Sequence, residues 1–147
     1  MTTIPAAFGQ FGQALAFAER TLTATLHEHL ARRGTEPGTW YALQLIATGG
    51  PGLSRDALSH DLEGSRNLDP GATRELLSRL ENEGLIRGGT KIGLTEKGEA
   101  LHRSLREYVG GPTARLLSQF DPRDIETTVR TLQAVTSRAA GEAAAAG

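Results

Sequence analysis

Phe8, Phe11, Leu15, Ala18, Leu22, Leu26 and Leu30 recur at intervals of three and four residues. That spacing predicts one long helix with a single apolar stripe, ended by Gly34. Thr35 then stands as the N-cap of a second helix, with Pro37 in its first turn and Trp40, Leu43, Ile46 and Ala47 facing inward. The run Gly49-Gly50-Pro51-Gly52 stops it. Ser54 caps a short third helix that turns Ala57, Leu58 and Leu62 inward, and the polar stretch from Glu63 to Asn67 reads as a loop. Asp69-Pro70 opens a fourth helix, the carboxylate capping and the proline preset at the first helical position. Its inner face is Ala72, Thr73, Leu76, Leu77 and Leu80, and Gly84 closes it.

The pattern then changes from helical period to two short apolar runs, Leu85-Ile86-Arg87 and Thr90 to Leu94, around Gly88-Gly89. This predicts a small β-hairpin closed at the glycine pair. Thr95 caps a fifth helix with Leu101, Leu105, Tyr108 and Val109 on one side. Gly110-Gly111-Pro112 is expected to interrupt or kink it before Leu116, Leu117 and Phe120. Asp121-Pro122 opens a last helix with Ile125, Val129, Leu132 and Val135, and the tail from residue 140 is expected to fray. The fold class is therefore mainly α: four helices, a short hairpin wing and two C-terminal helices, the sequence form of a winged helix-turn-helix. Residues 35–98 make the winged lobe within a single subunit, and 140–147 make a disordered tail. Residues 4–33 and 99–139 supply long helices whose stripes have nothing obvious to cover, so they are expected to bury against each other and against a second copy of the chain.

Composition narrows the chemistry. The chain has 147 residues, 38% hydrophobic and 22% charged, which suits one globular domain. It has no cysteine, which excludes disulfides, thiolate nucleophiles and thiolate metal sites. No apolar stretch of about 18 residues exists to cross a membrane, and with no secretory signal visible the expected compartment is the cytoplasm. Net charge is −1, so any affinity for nucleic acid must come from local placement of charge. His27 and His29 lie two apart and point about 200° from each other on a helix, so they cannot clasp one ion from one face. With His60 and His102 elsewhere, neither a metal site nor any other cofactor is expected. No phosphate-binding glycine loop, nucleophile elbow or HExxH helix appears, so the chain does not read as an enzyme.

The strings TEPGTWYALQLIA, DPGATRELLSRLENEGLIRG and IGLTEKGEAL resemble MarR-type transcriptional regulators. The resemblance spans roughly residues 10 to 138, and its most specific part is RLENEGLIR followed shortly by LTEKG. It implies a homodimer joined by its terminal helices, most simply a repressor, each subunit laying its fourth helix in a major groove of a pseudo-palindromic operator. A helix fits that groove, and the predicted inner face leaves Gly71, Arg74, Glu75, Ser78 and Asn82 outward, with Arg79 at the margin. Arg74 is the candidate for a guanine contact, because guanidinium pairs two acceptors at once. Ser78 is a candidate for a phosphate or base edge, Arg55 and Arg66 for phosphates, and Arg87 and Lys91 for the wing's cations.

The same resemblance implies a small aromatic or anionic ligand bound between the dimer helices and the lobe, near Phe17, His27, Trp40 and Tyr41. The competing reading of these aromatics is core packing. A second functional class also stays open: a winged-helix dimer with weakened DNA binding, acting as a protein-interaction or ligand-binding module. Its support is the short wing, Glu75 on the outward face, and seven cations against eight anions between Leu53 and Gly98.

Overall fold

The computed structural model describes residues 3–50, 52–66 and 68–146. Pro51 of the predicted glycine-proline stop and Asn67 of the predicted polar loop lie outside these residues. The order is α1 (Ala6–Arg32), α2 (Pro37–Gly49), α3 (Arg55–Arg66), α4 (Pro70–Asn82), β1 (Ile86–Arg87), β2 (Gly93–Leu94), α5 (Glu96–Leu117) and α6 (Pro122–Ala146). The chain divides into two compact units, Met1–Val109 and Gly110–Gly147.

The first unit holds the core. α2 sits at its centre, touching α1, α3, α4 and β2. It buries Trp40, Tyr41, Ala42, Leu43 and Ile46 against Leu30, Leu58, Leu62, Leu76, Leu77, Leu80, Leu85, Ile86, Ile92 and Leu105. A helix enclosed this way buries more than one stripe, which is why Tyr41 and Ala42 are covered while Ala47 stays exposed. α1 behaves differently. Leu30 is its one buried residue; Phe8 is 70% exposed and Leu22 53%, so the predicted stripe exists but is mostly exposed.

Four of the five expected side-chain caps form. The Ala57 amide donates to Ser54 Oγ at 3.0 Å and the Ala72 amide to Asp69 Oδ1 at 2.8 Å. The Gly98 amide donates to Thr95 Oγ1 at 3.0 Å, and the Arg123 amide to Asp121 Oδ1 at 2.9 Å. Thr35 does not cap α2; Glu36 is the N-cap, with no side-chain bond, and Pro37 follows it directly. Instead the Thr35 amide closes α1 by donating to Leu30 O at 2.9 Å, past Gly34 at φ +64°, a left-handed turn that favours glycine.

Four further expectations change. The stretch from Glu63 to Arg66 is helical rather than loop, since α3 runs to Arg66. There the Arg66 guanidinium lies 3.8 Å from the Tyr41 ring centroid, an anchor that keeps the last turn wound. Of the interruption or kink expected at Gly110-Gly111-Pro112, the interruption does not occur, since α5 continues to Leu117 with Pro112 inside it. α6 is helical to Ala146, as alanine's high helix propensity allows, where fraying from residue 140 was expected. The hairpin is not closed at Gly88-Gly89: Ile86 pairs with Leu94 and Arg87 with Gly93, leaving residues 88–92 as the connection. That connection is itself held. The Arg55 amide donates to Thr90 O at 3.2 Å and the Ile92 amide to Leu53 O at 2.9 Å, so Ser54 and Lys91 form an antiparallel bridge.

Candidate nucleic-acid interface

α4 presents one face to the core and one to solvent. Thr73, Leu76, Leu77 and Leu80 are buried, while Arg74, Glu75, Ser78 and Asn82 are exposed. Gly71, Arg74, Glu75, Ser78, Arg79 and Asn82 line a single shallow depression of about 470 Å³ on the outer side. This is the outward set that the helical period predicts, margin residue included; Ala72, placed inward by the pattern, is half-buried.

The joint behind this helix explains the most specific string of the sequence. The Thr95 hydroxyl donates to Gly84 O at 2.5 Å and the Lys97 ammonium to Glu83 O at 2.8 Å, satisfying carbonyls at the C-terminal end of α4. Gly98 lets α5 pass against the Leu85 carbonyl; a Cβ there would overlap that oxygen and lie 3.0 Å from its carbon. LTEKG is thus the clasp between α4, the wing and α5.

The predicted cations separate into two groups. Arg74 is exposed on the outer face of α4, with no ion-pair partner among the described residues. Arg87 and Lys91 are exposed on the wing, and Arg87 lies across the strand pair over Gly93, 3.1 Å from where a Cβ would be. The other three are engaged within the fold. Arg79 donates to Glu36 Oε2 at 2.7 Å and to Thr39 Oγ1 at 3.3 Å, with Glu83 at 3.9 Å, so it ties α4 to the start of α2. Arg55 pairs with Glu81, whose buried Oε1 has this guanidinium as its counter-charge, and a Cβ added at Gly88 of the wing would lie 2.9 Å from the same carboxyl group. Arg66 stacks on Tyr41.

The four residues assigned to a ligand do not converge. His27 Nε2 and the Tyr41 hydroxyl share a hydrogen bond of 2.8 Å, and with Arg66 over the other ring they link α1, α2 and α3. Burial raises the Tyr41 pKa, with Arg66 opposing the shift and Glu19 adding to it. Trp40 turns instead to His102, stacked at 5.7 Å and 16°, and is a core residue. Phe17 is exposed on α1 with Arg20 over its ring.

Spacing gave no signal of His102 as a partner. It is 8% exposed, and its Nε2–H donates to Gln44 Oε1 at 2.7 Å. Burial lowers its pKa below the ordinary 6.5, and Arg106 pushes the same way. Among the described residues no group of three or more His, Asp or Glu side chains is placed to hold a metal ion. No helix among them is long and apolar enough to cross a membrane.

No family model matches the sequence, and no curated protein matches it. Solved structures do. A MarR family protein from Bacillus stearothermophilus superposes with a TM-score of 0.74 at 22% identity, covering 95% of this chain and 99% of its own. The fold is that of the MarR family. A second MarR family protein, from Mycobacterium tuberculosis and in complex with DNA, matches with a TM-score of 0.68 at 22% identity, over 90% of this chain and 98% of its own. CouR from Rhodococcus jostii, bound to p-coumaroyl-CoA, matches with a TM-score of 0.69 at 20% identity, over 85% of this chain and 90% of its own. Set in the MarR fold, α3 and α4 are the helix-turn-helix, β1 and β2 with the Ser54–Lys91 bridge are the wing, and α1 is the long N-terminal helix.

Proposed function

We propose that the chain is a MarR-family transcriptional regulator that binds double-stranded DNA as a homodimer. The observation that carries this is the outer face of α4, where Arg74, Glu75, Ser78 and Asn82 stand exposed around one depression, on a fold shared with a protein crystallised on DNA. A helix of this kind reads base edges in the major groove, Arg74 being suited to guanine and Ser78 to a base edge or phosphate. Arg87 and Lys91 contact the backbone from the wing, while Arg55, Arg66 and Arg79 act mainly by holding the lobe together. The uncovered stripe on α1 supports the dimer, as does a second apolar set, in the other unit, of Leu116, Phe120, Val129 and Val135.

The protein is not an enzyme in this reading. It is a cytoplasmic repressor released by a small aromatic or anionic molecule. The hydrogen-bonded His27–Tyr41 pair is the polar feature of the assigned residues that such a ligand would meet. A fold shared with CouR, which was crystallised with the aromatic, anionic p-coumaroyl-CoA, supports that ligand class.

Sheared DNA from the source genome, passed over the protein at low and moderate salt and then sequenced, tests the proposal. Enrichment of a few inverted repeats that fades with salt is the expected result. Arg74→Ala is then expected to weaken binding to those sites by ~1–3 kcal/mol. Retention of no DNA at either salt by a folded dimer favours the interaction-module reading. One observation speaks for that second reading: two of the lobe's arginines, Arg55 and Arg79, are already paired with carboxylates of the same fold.

A further inference from the structure

Within the depression on α4 lies one acidic residue, Glu75. Its neighbours' carboxylates all have work inside the fold: Glu36 and Glu83 face Arg79, Glu81 faces Arg55, and Asp69 caps α4. Glu75 is exposed and has no ion-pair partner among the described residues. Beside a phosphate backbone such an anion weakens binding; facing base edges, it has a use.

We propose that Glu75 is a specificity-determining residue that reads a cytosine in each half-site of the operator. The inference rests on the DNA-binding function proposed above. Gly71 and Ser78 stand four residues before and three after Glu75 on the same helical face, and both are small. Small flanking side chains let the helix backbone approach the groove floor, which puts a glutamate's short reach at the bases rather than at the phosphates. A carboxylate only accepts hydrogen bonds, so its partner must be an exocyclic amino group, cytosine N4 or adenine N6. Adenine sets its N7 acceptor beside N6, where it repels the second carboxylate oxygen. Cytosine presents N4–H with a C–H next to it. Guanine and thymine offer that strand's groove edge acceptors alone and are rejected.

Arg74 fixes where the cytosine lies. Adjacent Cα atoms are about 3.8 Å apart and successive base pairs about 3.4 Å, so the Glu75 cytosine falls within about two base pairs of the Arg74 guanine.

Selection from a randomised duplex library by the full-length wild type, Glu75→Ala and Glu75→Gln tests this. Each protein is first checked for unchanged helical content, which an exposed position permits. Wild type is expected to select a fixed cytosine near the Arg74-dependent guanine. Changing that C·G pair to T·A is expected to lower its affinity about tenfold or more. Glu75→Ala is expected to lose the preference at that pair alone while keeping the rest of the site. Glu75→Gln, which donates as well as accepts, is expected to admit adenine there. A wild-type motif that Glu75→Ala leaves unchanged overturns this inference and spares the DNA-binding reading. So does a Glu75→Ala protein that binds every sequence more tightly by one common factor, because Glu75 is then a repelling charge only. Failure of the wild type to select any duplex overturns both.

Discussion

Gly98→Ala places a methyl group where α5 crosses the chain between α4 and β1. The new Cβ would overlap the Leu85 carbonyl oxygen and lie 3.0 Å from its carbon and 3.4 Å from Leu85 Cα. The obstacle is backbone, and it is pinned on both sides. Leu85 O accepts from the Thr95 amide at 3.1 Å, and Leu85 N donates to Leu80 O at 2.9 Å. Relief therefore requires α5 or the α4–β1 connection to move and stretch at least one hydrogen bond. Overpacking against yielding side chains costs ~1–3 kcal/mol, a disrupted hydrogen bond adds ~1, and alanine's better helix propensity returns ~1. Because the obstacle here is backbone, not a yielding side chain, the upper end of that range applies, and the expected net loss is about 3 kcal/mol. For a chain of this size that lowers Tm by roughly 6–12 °C. Thermal unfolding followed by far-ultraviolet circular dichroism at one fixed protein concentration measures it; concentration is held because association shifts Tm. Gly64→Ala is the matched control. Gly64 lies inside α3 with open space where alanine's Cβ would go, so the same change there is expected to stabilise by ~0.5–1 kcal/mol. If Gly98→Ala unfolds within a degree or two of wild type, the clasp reading of LTEKG is wrong.

Other perturbations follow from the same contacts. His102 is held neutral in the fold, its pKa lowered by burial and by Arg106, so the unfolded chain takes up its proton first. Stability is therefore complete above the unfolded value of 6.5 and falls as pH drops below it. Denaturant midpoints between about pH 5 and 7 should slope for wild type and flatten for His102→Gln, and equal slopes refute the assignment. Leu22→Glu, on the uncovered stripe of α1, is expected to give a folded monomer in light scattering. An unchanged dimer moves the interface off that stripe. Arg79→Ala is expected to leave the salt dependence of DNA binding unaltered and to lower stability by less than ~1 kcal/mol, because Arg79 is a partly exposed tie to Glu36. A salt slope reduced by about one phosphate contact would return Arg79 to the DNA.

The outer face of α4 was legible because a helix standing on one apolar layer shows its period without ambiguity: Leu76, Leu77 and Leu80 fix which way Arg74 and Ser78 point. The roles of the arginines were not legible. A guanidinium at the right helical position for a phosphate is also at the right position for a carboxylate on another element. Only tertiary structure brings Glu81 to Arg55 and Glu36 to Arg79. The last turn of α3 was misread because a solvent-facing helical turn and a polar loop share one composition, and the contact that decides between them, Arg66 on Tyr41, spans two helices. The hairpin's true closure was hidden for a similar reason. Gly88-Gly89 has the local chemistry of a tight turn, but the partner of residues 90–92 is Leu53 to Arg55, far along the chain. The ligand residues stay ambiguous in sequence, since a buried aromatic satisfied by a neighbour and one that lines a pocket look alike there.

The Ser54–Lys91 bridge bears on how such a reader would meet uneven DNA. It stitches the connection before α3 to the wing, and the Arg55–Glu81 pair stitches α3 to α4 behind it. The parts that flank α4 are thus fastened to one another and are not re-aimed separately. On the proposed function, any misfit between neighbouring contacts is then accommodated by the duplex, which must bend or untwist. Base steps that nothing touches would still be discriminated, by how softly they yield.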